Sequence, residues 1–314
     1  MKFGYFLRPA WSYEGMLELA KHAEELGLHG AYINDHVIGL FNEAKMPFLE
    51  AMTTMAAIGA QTHRIRIGHI VIMNSLRNPA FLAKTLTTLD HITGGRLDII
   101  IGAGWNQKEY EGYDLIGNGS GMPSAMERVN RLMEAVQIMQ GMFDANEFSY
   151  EGRYWKLKSA YNYPLPIQRP LEIQIGASKP HLISLAVRHA DGFNIRGDLE
   201  VLRWAKSIYV KELEKLGKDP RRFHYTGFEH TMILCKSDVE YDAVARQQAA
   251  RWKRTPEYVK ANFFLGTPEA LVEKLRAADD LGVEMMIIYP RPADKVSEAK
   301  TRLSEFRDLV ANQL

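Results

Sequence analysis

Asp35 and His36 follow a short apolar run, Ala31-Tyr32-Ile33. A histidine at a strand end with an acid beside it can give or take a proton near neutral pH. Asp35 has a second reading, as a residue that only caps or orients the following loop. Another candidate is Ile175-Gly176-Ala177-Ser178-Lys179-Pro180, a strand ending in small residues before a helix that opens at proline. Such a turn presents unpaired backbone N–H groups, and a phosphate fits it. The same geometry suits a serine that merely caps its own helix, so Ser178 carries both readings.

Other chemistries lack their residues. A zinc site would need several histidines and carboxylates at strand ends, where only Asp35 and His36 qualify, so no metal site is expected. A Schiff-base aldolase needs a lysine inside an inner strand, and none is evident. His69 lies within a strand pattern and reads as an interior histidine with satisfied hydrogen bonds. His22, His63, His91 and His189 sit on or beside helical patterns.

The elements that must position these residues alternate. Apolar runs ending at Leu7, Ile33, Ile72, Ile101, Ile175, Ile195, Leu234 and Tyr289 read as strands, several rich in β-branched residues as in a parallel sheet. Helical periods separate them, including Phe48 to Gln61, Asn78-Pro79 to about Ile92, and a segment opening at Thr267-Pro268. Thr93-Gly94-Gly95 stops the second of these, and Pro290 is expected to end the last strand. Eight strands alternating with helices favour a (β/α)8 TIM barrel of the α/β class. Catalytic residues then lie just past the strand ends: Arg8 and Pro9, Asp35 and His36, Asn74, Gly104 to Asn106, Gly176 to Lys179, Tyr289 and Arg291.

Three insertions interrupt the alternation, at about 113–124, 144–171 and 237–264. The first is glycine-rich and reads equally as a solvated loop or a lid over the mouth. The second has the aromatic and proline content of a hairpin followed by an extended segment. The third is charged and helical, either an outer decoration or a wall of the site. No repeat or linker divides residues 1–314, so a single domain is expected.

The net charge of +1 argues against nucleic acid or anionic lipid as a partner. Cys235 is the only cysteine, which excludes an internal disulfide and fits a cytoplasmic setting. No apolar run reaches the ~18 residues of a spanning helix, and no export signal is visible.

In order along the chain stand Ala23-Glu24-Glu25-Leu26-Gly27, Asn34-Asp35-His36, Arg77-Asn78-Pro79 and Asp90-His91-Ile92-Thr93-Gly94-Gly95-Arg96. Ile101-Gly102-Ala103-Gly104-Trp105-Asn106 follows with Glu109-Tyr110, Glu127-Arg128, Gly152-Arg153-Tyr154, Ile175-Gly176-Ala177-Ser178 and Ala190-Asp191-Gly192-Phe193-Asn194. This series resembles the bacterial-luciferase-like superfamily of flavin- and F420-dependent oxidoreductases, over nearly the whole chain.

The resemblance implies hydride transfer between coenzyme F420 and a small organic substrate, with FMN as the alternative cofactor. The other readings are an FMNH2-dependent monooxygenase fed by a flavin reductase, and a non-catalytic flavin-binding barrel. It places Asp35 and His36 near the ring system as catalytic residues, and Ile70, Val71, Asn74 and Gly104 to Asn106 along the cofactor. Gly176, Ala177, Ser178 and Arg128 would serve its phosphate; an exposed helical arginine is the plainer reading of Arg128. A cis peptide is implied between Ile70 and Val71. The glutamate that some F420-dependent sugar-phosphate dehydrogenases carry just after strand four is replaced by Trp105, which counts against sugar-phosphate oxidation. A homodimer or larger homo-oligomer is also implied.

Overall fold

The computed structural model describes residues 1–40, 46–291 and 293–314, with the backbone alone at 230 and 231. Eight parallel strands form the barrel: β1 (Lys2–Phe6), β2 (Gly30–Ile33), β3 (Arg66–His69), β4 (Leu97–Gly102), β5 (Ile173–Gly176), β6 (Gly192–Arg196), β7 (His224–Leu234) and β8 (Met285–Arg291). Each pairs with the next, and β8 returns to β1 with Ile288 beside Tyr5, which closes the sheet. One helix packs outside after each strand: α1 (Tyr13–Glu25), α2 (Ala51–Gly59), α3 (Pro79–Thr93), α4 (Ala125–Asp144), α5 (Pro180–His189), α6 (Leu199–Leu216), α7 (Pro268–Asp280) and α8 (Val296–Leu309). This is the expected (β/α)8 architecture.

The alternation of side chains along each strand makes two cores. Phe3, Tyr5 and Leu7 belong to the outer layer between strands and helices, whereas Tyr32, Ile70, Ile100, Met285 and Ile287 fill the barrel interior. The Tyr32 ring has room because β1 and β3 carry glycine beside it. A Cβ at Gly4 would stand 2.4 Å from that ring, and one at Gly68 2.6 Å.

Local boundaries follow from capping. α2 starts three residues later than the apolar period at Phe48 suggests, because the Glu50 carboxylate accepts from the N–H groups of Met52 and Thr53 and so fixes the first turn. Asn78 caps α3 in the same way, and Gly94 ends it at φ 65°, the left-handed conformation expected of that helix stop. The third strand is not one run: it breaks after His69 and resumes as Ile72–Met73, and the Ile70–Val71 peptide between is cis, as implied. Pro290 does not end β8. Its missing N–H is tolerated where the pairing with β7 shifts register, and the strand continues to Arg291.

The second insertion contains the expected hairpin, Glu147–Glu151 against Lys156–Tyr161. The third is a helix pair, Asp238–Trp252 and Pro256–Asn262, tied to the start of α6 by the Tyr258 hydroxyl, which bonds Asp198 at 3.1 Å and also Glu200. No helix among the described residues is long and apolar enough to cross a membrane.

Candidate active site

A cavity of about 740 Å³ opens at the carboxyl ends of the strands. Its floor is the inner layer, through Ile70, Val71 and Phe228. Val71 stands between β4 and β5 because both strands end in glycine there: a Cβ on Gly102 or on Gly176 would lie 2.7 Å from the Val71 methyl groups. Gly176 therefore opens space for a side chain as well as for a ligand.

His36 lines this cavity and is 9% exposed. Its ring is held by Glu109, whose carboxylate lies 2.8 and 3.1 Å from Nδ1 and is itself fully buried. A carboxylate only accepts, so Nδ1 carries the proton, and in the neutral form of the ring Nε2 is the acceptor. The same carboxylate accepts from the Val37 N–H at 2.8 Å, locking the turn that carries His36. Glu109 reaches this place on a short helix, Gln107–Gly112, that Asn106 caps through the Lys108 N–H. Trp105 and Phe48 meet the imidazole edge-on, at centroid distances of 5.7 and 6.5 Å.

Asp35, expected to work beside His36, is committed elsewhere. Arg77 donates to both of its oxygens, at 2.6 and 3.1 Å, and the Met73 N–H adds a third bond at 3.0 Å. β2 explains the separation: Asn34 and Tyr32 share the interior face, while Asp35 points with Ile33 toward the helices.

The cavity brings together Asp35, His36, Ile70, Val71, Gly104, Trp105, Gly176, Ala177 and Ser178. Asn74, Asn106 and Arg128 lie off its lining. Asn74 is buried at the turn after β3. Asn106 is the cap just described and borders a separate surface groove with Trp105. Arg128 is neither an exposed arginine nor a wall of the cavity: its guanidinium donates to the carbonyl oxygens of Gly104, at 3.0 Å, and Pro123. It shapes the Gly104 turn from behind, where φ is +77° and a side chain would meet the Tyr110 hydroxyl.

Ser178 is exposed and does not cap α5. The cap position belongs to Lys179, which makes no side-chain cap bond, so among the described residues that helix start is left without a side-chain cap. The first insertion contributes nothing to the lining; Leu40, Met46 and Phe48 form that wall instead. His69 is interior as expected; burial pushes its pKa below the ordinary histidine value, and the nearby Asp35 and the Ala51 backbone oppose that.

Sequence reasoning placed Arg8 and Arg291 past their strand ends but missed the cationic arc they form with Arg196 and Arg251. Arg8 after β1, Arg196 ending β6, Arg291 ending β8 and Arg251 from the inserted helix pair all line the cavity, whereas Asp35 is the one carboxylate residue of the lining among the described residues. Burial lowers the Arg196 pKa, Glu229 opposes that and Arg291 adds to it. The strand-end rule could have found Arg196; nothing local marks Arg251.

The fold is thus a closed parallel barrel with a buried histidine–carboxylate pair at its carboxyl end, where barrel enzymes carry their active sites. The family model for luciferase-like monooxygenases matches residues 1–249, and the chain belongs to that family. An F420-dependent glucose-6-phosphate dehydrogenase of Gordonia bronchialis is 31% identical over 307 residues, covering 95% of this chain and 86% of that one. Among solved structures, an F420-dependent secondary alcohol dehydrogenase in complex with an F420-acetone adduct superposes with a TM-score of 0.81 at 18% identity, over 99% of this chain and 98% of that chain. A Type II Baeyer-Villiger monooxygenase of Pseudomonas putida in complex with FMN reaches 0.73 at 19% identity, over 100% and 99%. These two structural likenesses show the shared fold alone.

Proposed function

We propose that this chain is an oxidoreductase that transfers a hydride between coenzyme F420 and a small organic substrate bearing a negative charge. The observation that carries the reading is the division of one cavity. Small residues and uncapped backbone donors occupy the β3 to β5 side, His36 stands on β2, and four arginines occupy the arc from β6 through β8 to β1. The residues present fit the cofactor: the β5–α5 turn offers N–H groups and the Ser178 hydroxyl to a phosphate, and Ile70 and Val71 offer an apolar ledge to a flat ring. Bound there, coenzyme F420 would supply the hydride chemistry.

The protein's own part is orientation and proton handling. Glu109 holds the His36 ring, and Nε2 takes or gives the proton that accompanies oxidation or reduction of the substrate. Trp105, Phe48 and Met46 keep water from that atom. The arginines on the far arc orient an anionic group of the substrate through charge-assisted hydrogen bonds. The Gordonia bronchialis relative is named for F420 and for glucose 6-phosphate, which supports the cofactor and the negative charge of the substrate. A cytoplasmic homo-oligomer is part of the same reading, and light scattering of the purified protein measures its mass.

Separate absorbance and fluorescence titrations with coenzyme F420 and FMN test the cofactor. Saturable F420 binding with weaker FMN binding is expected. Tight FMN binding without any F420 response would replace the reading by a flavin-dependent one.

A further inference from the structure

Arg77 plays no part in the cavity wall, yet its guanidinium joins the two chain segments that meet at His36. One side takes Asp35 in a two-pronged pair, at 2.6 and 3.1 Å; the other takes Glu50. Asp35 immediately precedes His36, and Glu50 lies two residues beyond Phe48. The rings of Phe48 and His36 meet nearly at right angles, with centroids 6.5 Å apart. Asp35 is 1% exposed and Arg77 13%, so that arm is buried, whereas the Glu50 arm, 43% exposed, lies at the surface. Glu50 is also fixed from its own side, since its carboxylate caps α2 through Met52 N at 3.2 Å and Thr53 N at 2.7 Å.

We infer that Arg77 is a positioning residue for His36: by gripping Asp35 and Glu50 at once, it sets Phe48 against the imidazole and holds the ring at its angle to the cavity. Glu109 fixes one nitrogen of the ring but leaves it free to tilt about that bond. Phe48 removes the tilt, and Phe48 is placed only if the start of α2 is held to the end of β2. A guanidinium can do this because its planar fork serves two carboxylates in fixed directions, whereas an ammonium at the same point cannot reproduce the two-pronged geometry. The inference rests on the proposed role of His36 in proton transfer.

Two variants test it in the full-length protein. Arg77→Lys keeps the charge and loses the fork. Glu50→Gln leaves the buried Asp35–Arg77 pair whole and retains an oxygen for the α2 cap, so it reports on the grip even if the lysine variant folds poorly. The His36 ring resonance in a nitrogen-15 spectrum of the cofactor-free protein, assigned with His36→Gln, is the direct readout. Both variants are expected to move that resonance. Turnover should fall roughly 10-fold to 10²-fold in Arg77→Lys, the scale of a small misplacement of a reacting group. Glu50→Gln should fall less, and the dissociation constant for coenzyme F420 should stay within about twofold in both. A His36 resonance and turnover identical to the parent in Glu50→Gln would overturn the positioning role. Full turnover in His36→Ala would instead remove the proton-transfer reading on which it rests, so the two failures are distinct.

Discussion

At the amino-terminal end of the barrel, polar side chains answer one another. The Tyr32 hydroxyl donates to Asp98 at 2.6 Å, Arg66 donates to the same carboxylate at 2.7 Å, and His224 is held between Glu284 at 2.6 Å and Glu172 at 2.9 Å. At the carboxyl end the small residues leave backbone donors uncapped, arginines outnumber carboxylates on the lining, and the buried acids serve to hold His36 and its turn. The first arrangement spends its charges on stability. The second keeps hydrogen-bonding capacity for something the chain does not itself contain. Both ends are made by the same eight strands, so the difference lies in which residues occupy the last position of a strand and which the first.

The sharpest way to break that contrast is at His36. His36→Ala is expected to cut turnover ~10²- to 10⁴-fold while changing cofactor binding little, because a general acid or base acts in the transition state. Steady-state kinetics beside a fluorescence titration check it, and unchanged turnover would take His36 out of the chemistry. Next in size, Ser178→Ala should weaken the phosphorylated cofactor by about tenfold, the worth of one hydrogen bond to a charged group. A dephosphorylated analogue should bind both proteins alike; equal losses for the two ligands would leave the β5–α5 turn without its phosphate.

The smallest effect belongs to the opposite end and concerns stability only. The hydrogen bond from Glu284 pushes the His224 pKa up to about 9, despite burial, and Glu172 adds to it. A pKa raised by folding contributes stability that is complete below the unfolded value of ~6.5 and lost as pH rises through about 9. These side chains are 30 to 48% exposed, so solvent screening keeps the contribution to ~1 kcal/mol or less. Denaturant melts between pH 6 and pH 10 should show this decline in the parent and not in His224→Gln. A parallel decline in both would assign it to other groups.

What could be read from residue order alone follows the same division. Strand ends were visible because β-branched runs stop at glycine, proline or a charged residue, and that was enough to place His36, Gly104, Trp105 and Gly176 to Ser178 around one opening. Partners across the fold were not visible. Glu109 lies 73 positions from His36, and Arg77 lies 42 from Asp35. Adjacency therefore made Asp35 look like the acid of the pair, although neighbours on a strand face opposite sides of the sheet. Asn106 and Arg128 were legible as residues near the cofactor turn, but not as the cap and the brace that shape it. Arg251 comes from an inserted helix whose docking depends on Tyr258, and no local pattern announces that.

Tyr32 has one further consequence. Its ring fills the middle of the barrel between Gly4 and Gly68, and its hydroxyl is spent on Asp98 and the Met285 sulfur beneath. The barrel interior is thus filled below the cavity, which opens at the carboxyl ends of the strands. On the proposed reading, cofactor and substrate both approach from that end. With the cofactor phosphate proposed at the β5–α5 turn and the substrate anion at the arginine arc, the two ligands would occupy opposite rims of one cavity, so release of the cofactor is expected to slow when substrate is bound.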